Sequence, residues 1–516
     1  MNSYNLINAN FITMNDQVPF ASSLTIHNGK IESINFTNKN YKSIDLGGSF
    51  VIPGFIDAHY HLKNYGKRLN QLDLKNLNNK KQIIDLIDSK VKTSKKRDWI
   101  LGFGWDQNLW KNKNFPLSSI LNERFPDNPI YLTRIDGHSA WVNNLAILKT
   151  GFNIQALDNL SGATVINDCI MIDNAMSPFH SILPKDSFEN ISSWIQTAVD
   201  NTLKKGITGV HDAWQDYMTV KAIQNLIEKG KFPLRCYGML ASSDDDLLDS
   251  FFQAGHFNNE YLSIRSVKAF IDGALGSRGA ALHEPYNDDH KNCGLILISS
   301  EKFNDLAQRC YDANFQLNTH AIGDRGNNYV LDTYSKFLPN ENDSRWRIEH
   351  AQMVSMKDIL RFKNHNILPS MQPSHCTSDM KWLKNRIGEK RLSLISRWQT
   401  FISHGMKIPG GSDCPIETGN PIFEFYAAVT RQDHAGWPAG GWQSQEKVNR
   451  LNALKMFTTW AAYGAFEENI KGMLKENYSA DLTVLSKNIL TVPNEEILST
   501  VVLHTIVNGD FVYSNI

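Results

Sequence analysis

The chain lacks an excess of charge of either sign. Its 516 residues carry 53 Lys and Arg against 53 Asp and Glu. Nucleic-acid scaffolds and binders of anionic membranes show a basic surplus, so neither class is expected here. No apolar run approaches the roughly 20 residues of a transmembrane helix, so no membrane partner is expected either. Cysteine is sparse: Cys169, Cys236, Cys293, Cys310, Cys376 and Cys414 are scattered, with no CxxC pair. That spacing excludes a dense disulfide framework and fits a reducing compartment. The first ten residues have no basic stretch and no long apolar core. A signal peptide is therefore not expected, and a cytoplasmic location is. There is no low-complexity tract and no fixed-period repeat.

What is present reads as an ordinary globular protein, with 41% hydrophobic and 21% charged residues. The length allows two or three domains, or one large barrel with additions. Both ends are β-rich. Apolar stretches near the start break at Asn28-Gly29, and the last stretch turns at Asn508-Gly509. Short β segments cannot easily bury a core alone, so residues 1–52 and 470–516 are expected to share one small β domain. Between them, strands are expected at 51–57, 205–212, 264–271, 314–319, 345–349, 367–372 and 406–411. Helical periodicity over 300–313 and 327–337 alternates with them, which favours a parallel α/β sheet. The gap after the first of these strands is too long for one βα unit, so about 65–195 reads as an insertion.

The chemistry begins at Val51-Ile-Pro-Gly-Phe-Ile-Asp-Ala-His59-Tyr-His61. A strand alternates its side chains, so His59 and His61 face the same way at its end, an arrangement suited to a divalent metal. A His-x-His pair alone arises by chance about once in two such chains. Four further polar residues end later apolar runs: Lys268, His320, His350 and Asp413. In a parallel β/α barrel such ends converge on one face, where active sites form.

With the Gly104-Trp-Asp, Asp136-Gly-His138, Lys268-Ala-Phe-Ile-Asp-Gly, Thr319-His-Ala-Ile-Gly-Asp324, Arg347-Ile-Glu-His-Ala-Gln352 and Gly411-Ser-Asp413 motifs, the chain resembles the amidohydrolase superfamily and its YtcJ-like branch. The resemblance implies a distorted (β/α)8 TIM barrel over 53–469 with a β-sandwich from both termini. It implies one or two divalent metals, usually zinc, and hydrolysis of an amide- or formamide-type C–N bond that is not a peptide. Carried over by position, His59 and His61 hold one metal and His320 and His350 the second. Lys268 bridges them as an N-carboxylated lysine, and Asp413 is metal ligand and general acid/base. An unmodified ammonium has no lone pair for a metal, whereas a carbamate offers two oxygens. Asp57, Asp272 and Asp324 are candidates to orient the imidazoles.

Three residues are weaker candidates for touching the substrate. Trp105 belongs to a Trp-rich patch that either lines a pocket or is buried. His138 contacts substrate or hydrogen-bonds within the insertion. Arg278 grips a carbonyl or carboxylate, or pins its own loop. The competing functions are a mononuclear deaminase-like hydrolase of a cyclic substrate, and a catalytically inactive regulatory relative. The expected partner is a small-molecule substrate, and a homodimer is the base-rate expectation.

Overall fold

The computed structural model describes residues 3–135 and 137–515, so Asp136 of the predicted motif lies outside the described residues. The chain divides into two compact units: Met1–Leu62 with Val199–Ile516, and Lys63–Ala198.

The larger unit contains a barrel. Strands β1 (Phe55–Tyr60), β2 (Ile207–Gln215), β3 (Arg235–Ala241), β4 (Leu262–Phe270), β5 (Gln316–Ala321), β6 (Arg347–His350) and β7 (Leu368–Ser370) pair in that order. Every pairing is parallel. The eighth stave is the segment 409–414. On one side Met371 N donates to Pro409 O and Gly411 N to Met371 O; on the other Ala58 N donates to Gly410 O and Asp413 N to His59 O. Helices α1 (Tyr217–Glu228), α2 (Asp245–Ala254), α3 (Ser300–Asp312), α4 (Asp324–Phe337), α5 (Met356–Asn364) and α6 (Pro373–Ile387) follow β2 to β7 in turn. This is the distorted (β/α)8 architecture that the sequence predicts.

Two staves differ from expectation. Strand β3 is not among the predicted strands, because Gly238 interrupts its apolar run and Arg235 opens it. Both have a local reason. A Cβ on Gly238 would meet Gln215 Oε1 at 2.3 Å. Arg235 is neutralised by Asp481, with Nε–Oδ2 3.0 Å and Nη2–Oδ1 3.1 Å. The predicted strand at 406–411 is an irregular stave instead. Gly411 passes so close to β1 that a Cβ there would stand 2.4 Å from His59 N.

Both chain ends enter one sheet of eight strands. Its path runs Asp510–Ser514, Val502–Val507, Leu482–Leu485, Lys42–Pro53, Ser3–Ile12, Leu24–His27, Lys30–Ile34, and Phe20–Ala21 pairs with Ser3–Ile12. Leu6, Leu24, Ile26, Val51, Leu482 and Ile506 are among its fully buried side chains. Asn28-Gly29 and Asn508-Gly509 all have positive φ, as two-residue hairpin turns that match strand twist require. Lys42–Pro53 leads almost directly into β1, so the sheet and the first ligand-bearing stave share one chain segment.

The second unit has a six-stranded sheet in the order Ala163–Ile166, Ile170–Asp173, Ser139–Val142, Ile130–Arg134, Ile100–Trp105, Leu72–Asp73. Among the described residues, no helix is long and apolar enough to cross a membrane.

Candidate metal centre

Histidines and one carboxylate meet at the C-terminal ends of the barrel strands. His59 lies at the end of β1, where alternation turns it inward, and it is fully buried. His61, just past β1, faces the same side, with Nε2 3.0 Å from Asp413 Oδ1. Asp413 Oδ1 also lies 3.5 Å from His59 Nε2. From β4, Lys268 brings Nζ to 3.4 Å from His59 Nε2. The His350 ring, ending β6, is 4.9 Å from that of His59 and 4.5 Å from that of His320 on β5, centroid to centroid. The structure thus brings all six predicted side chains together. His350, Ala351 and Asp413 have φ of 72°, 40° and 57°. Such left-handed backbone at non-glycine residues costs roughly 1–3 kcal/mol each and clusters at functional sites.

Buried carboxylate and amide groups aim the rings. Glu349 Oε2 lies 2.5 Å from His59 Nδ1, and Gln372 Oε1 lies 2.7 Å from His350 Nδ1. Asp57, offered by the sequence for this role, instead accepts from Ser412 Oγ at 2.6 Å and from the backbone N of Ser412 and His59. It anchors the eighth stave to β1. Asp324 accepts from the backbone N of His283 and Arg325. Asp272 does not aim a ring either: Oδ1 is 3.6 Å from His320 Nε2, too far for a hydrogen bond, and the carboxylate receives the backbone N–H groups of Ala281, Ile322 and Gly323.

The electrostatics give a donor set with free lone pairs. Burial, reinforced by Lys268, lowers His59 to about 4 and His320 to about 3, so both rings are neutral. Burial also drives His350 well below its ordinary value. Burial would raise Asp413, but the His61 hydrogen bond and the neighbouring imidazoles outweigh it and hold the carboxyl well below the usual range. Burial brings the Lys268 amine down to about 8.

Neutral imidazoles around an ionised carboxylate suit a divalent cation. His59, His350 and Asp413 offer donor atoms all within 4.8 Å of one another. The Nε2 of His320 is buried without a hydrogen-bond partner, as a ligand atom would be. The residues therefore fit a metal.

The three weaker candidates have other surroundings. Trp105 is fully buried in the core of the second unit, against Trp110 and Trp141, and its Nε1 donates to Leu132 O at 2.7 Å. Of the two readings the sequence offers for it, burial is the one observed: the ring packs in this core. His138 is exposed, with Nδ1 3.0 Å from Asp173 Oδ1. Arg278 makes two 3.1 Å bonds to Asp288, which pins its own loop.

Three residues of the centre were not among the predicted site residues. Glu349 sits inside a quoted motif but one place before its histidine. Gln372 and His375 follow β7 in Ser370-Met-Gln-Pro-Ser-His375, another polar group just past an apolar run. The His375 ring stacks on His350 at 5.8 Å and 14°, and its Nε2 is 3.7 Å from Asp413 Oδ2.

The family described as the amidohydrolase family matches residues 42–513. YtcJ of Bacillus subtilis (strain 168) is 29% identical over 92% of this chain and 90% of its own. An N-substituted formamide deformylase of Arthrobacter pascens is 22% identical over 98% of this chain and 97% of its own. The crystal structure of an uncharacterized metal-dependent hydrolase from Pyrococcus furiosus superposes with a TM-score of 0.79 at 26% identity, covering 95% of this chain and all of the other. With the match spanning nearly its whole length, the chain belongs to the amidohydrolase family.

Proposed function

We propose that the chain hydrolyses a non-peptide amide- or formamide-type C–N bond of a small molecule with the help of a divalent cation. The observation that carries this reading is the convergence of four histidines and Asp413 on one end of the barrel. Zinc is readily bound by imidazole and carboxylate donors and is the first ion to try. His59, His350 and Asp413 would hold one ion, with His61 and His320 at hand for the same ion or a second. Lys268 can lose its proton near neutral pH and take up CO2, which would give two carbamate oxygens beside the same donors. When bound, the cation supplies Lewis acidity and a nucleophile at neutral pH.

The chain's own residues do the rest. Asp413, ionised, accepts the proton of the attacking water. The oxygen of that water bonds to the carbonyl carbon, the C–N bond breaks, and Asp413 returns the proton to the leaving nitrogen. The products are a carboxylic acid and an amine, or formate and an amine from a formamide. Glu349 and Gln372 hold His59 and His350 in one tautomer throughout. The name of the Arthrobacter relative makes N-substituted formamides the first class to try.

The test is metal analysis of the purified protein with turnover on N-formyl, N-acyl and cyclic amides. We expect bound divalent metal, loss of turnover with a chelator, and a loss of about 10²–10⁴ in Asp413→Asn with the fold retained. Deamination of ring amines alone, or turnover indifferent to chelator and to Asp413→Asn, would overturn the proposal.

A further inference from the structure

We propose that His375 is a substrate-contacting residue that accepts the amide N–H of a secondary amide or formamide through Nε2, and so selects N-monosubstituted over N,N-disubstituted substrates. This rests on the hydrolase reading above.

His375 stands in the first turn of α6, directly after β7, and so on the same barrel face as the six clustered side chains. Its side chain is 15% exposed, matching His61 at 16% and Asp413 at 12%. His59 and Glu349, at 1% and 0%, are closed off. His375 thus belongs to the open side of the centre, where a substrate arrives. Its Nε2 is nevertheless a buried atom without a hydrogen-bond partner. A buried polar atom of this kind costs stability unless something satisfies it.

The two oxygens of Asp413 face different neighbours. Oδ1 is turned to His59 and His61, at 3.5 and 3.0 Å. Oδ2 is turned to His375 Nε2, at 3.7 Å, too far for a direct hydrogen bond. A single nitrogen about 2.9 Å from both would see them at an angle of roughly 80°. That is the relation between the in-plane N–H of an amide and the lone pair that develops across its plane as the carbonyl carbon becomes tetrahedral. The N–H donates to Nε2, and the lone pair receives the proton that Asp413 carries. An N,N-disubstituted nitrogen has no hydrogen to offer and sets a carbon against Nε2.

Nε2 accepts only if the ring proton is on Nδ1. Asp379, four residues on, shares the helix face of His375 and interacts with it electrostatically. Its Oδ2 is held by Gln352 Nε2 at 2.9 Å, and Gln352 O in turn receives Ser396 N at 2.8 Å. We take the ring proton to be on Nδ1, the tautomer that leaves Nε2 as the acceptor.

The test compares an N-alkylformamide with its N-methyl-N-alkyl analogue in the metal-loaded protein, its His375→Phe and its His375→Gln variants. Metal content is measured on all three. We expect wild type to favour the monosubstituted substrate in kcat/KM by about tenfold or more. In His375→Phe the ratio should fall to about one, through loss on the monosubstituted substrate, with metal content unchanged. His375→Gln, which keeps an acceptor oxygen, should retain part of the preference. A wild type that turns over both formamides equally, or a preference that survives in His375→Phe, overturns this assignment and leaves the hydrolase reading standing. Loss of metal in both variants overturns it too, by making His375 a ligand. A wild type that hydrolyses no amide at all removes the hydrolase reading and this one with it.

Discussion

Glu349 Oε2 lies 2.5 Å from His59 Nδ1, and both side chains are closed to solvent. Burial alone would raise the Glu349 carboxyl. The electrostatic attraction and hydrogen bond of the His59 N–H, then the charges of Arg347 and Lys268, reverse this and bring it to about 2. An ionised Glu349 keeps the His59 proton on Nδ1 and directs the Nε2 lone pair toward Lys268 and Asp413. In Glu349→Gln the charge is gone and the amide can present either an oxygen or an N–H to the ring. Affinity for zinc should fall about 10–100-fold while the fold persists. Competition with a chromophoric chelator measures it, and an unchanged zinc affinity would refute the assigned role.

Gly411 is the point where the closing stave touches β1. A Cβ there would lie 2.4 Å from His59 N, 2.7 Å from His59 Cβ and 2.9 Å from Asp57 Oδ1. Two of these three atoms belong to His59 itself, one of them backbone, and cannot swing aside. Gly411→Ala should therefore push the eighth stave off β1, lower thermal stability and weaken metal binding together. A variant with normal stability and metal content would mean that the barrel closes more loosely than these contacts require.

Much of this centre is legible in the sequence because a strand's alternation and end are local properties. His59, His61, Lys268, His320, His350 and Asp413 each sit at or just past an apolar run, and parallel closure gathers such ends. What aims them is not local. Glu349 and His59 are 290 residues apart in the chain, and no spacing rule joins them. A carboxylate within a buried strand looks like an error in the apolar pattern until its partner is known. Strand β3 escapes notice for a related reason. Gly238 and Arg235 are poor strand residues in isolation, and only the crowding by Gln215 and the pairing with Asp481 make them fit. The Trp105 patch misleads because indole burial in a core and indole display in a pocket leave the same composition.

Arg235 and Asp481 join barrel strand β3 to the start of the returning C-terminal strands. The pair is doubly hydrogen-bonded, and its side chains are 9% and 6% exposed. Asp481 Oδ1 also receives Asn508 N at 2.8 Å, at the terminal hairpin. Removing one partner leaves a buried charge uncompensated, which costs about 3–5 kcal/mol. Arg235→Ala should lower the urea midpoint accordingly, and adding Asp481→Ala should recover part of the loss. Strictly additive losses in this double-mutant cycle would show that the two groups do not interact.

Glu424 should make stability depend on pH. It lies in the first turn of the helix Pro421–Thr430 and is fully buried. Its Oε2 accepts from Ser374 N at 2.8 Å, while Oε1 meets no donor. Burial, then the charge of Glu417, pushes the carboxyl well above its ordinary value, and the Ser374 bonds only partly oppose this. The folded protein therefore holds a proton that the unfolded chain releases near pH ~4.3. The stability linked to that proton is fully present below the unfolded value and is lost as pH rises through the raised folded value. Glu424→Gln keeps an acceptor for Ser374 N and removes the titration. Relative to wild type, the variant should gain about 1.4 kcal/mol per pH unit from about pH 5 upward, until the raised value is passed. Urea midpoints measured across about pH 4 to about pH 8 read this directly. Parallel curves for the two proteins would place the Glu424 carboxyl at its ordinary value in the fold and remove burial as the dominant influence on it.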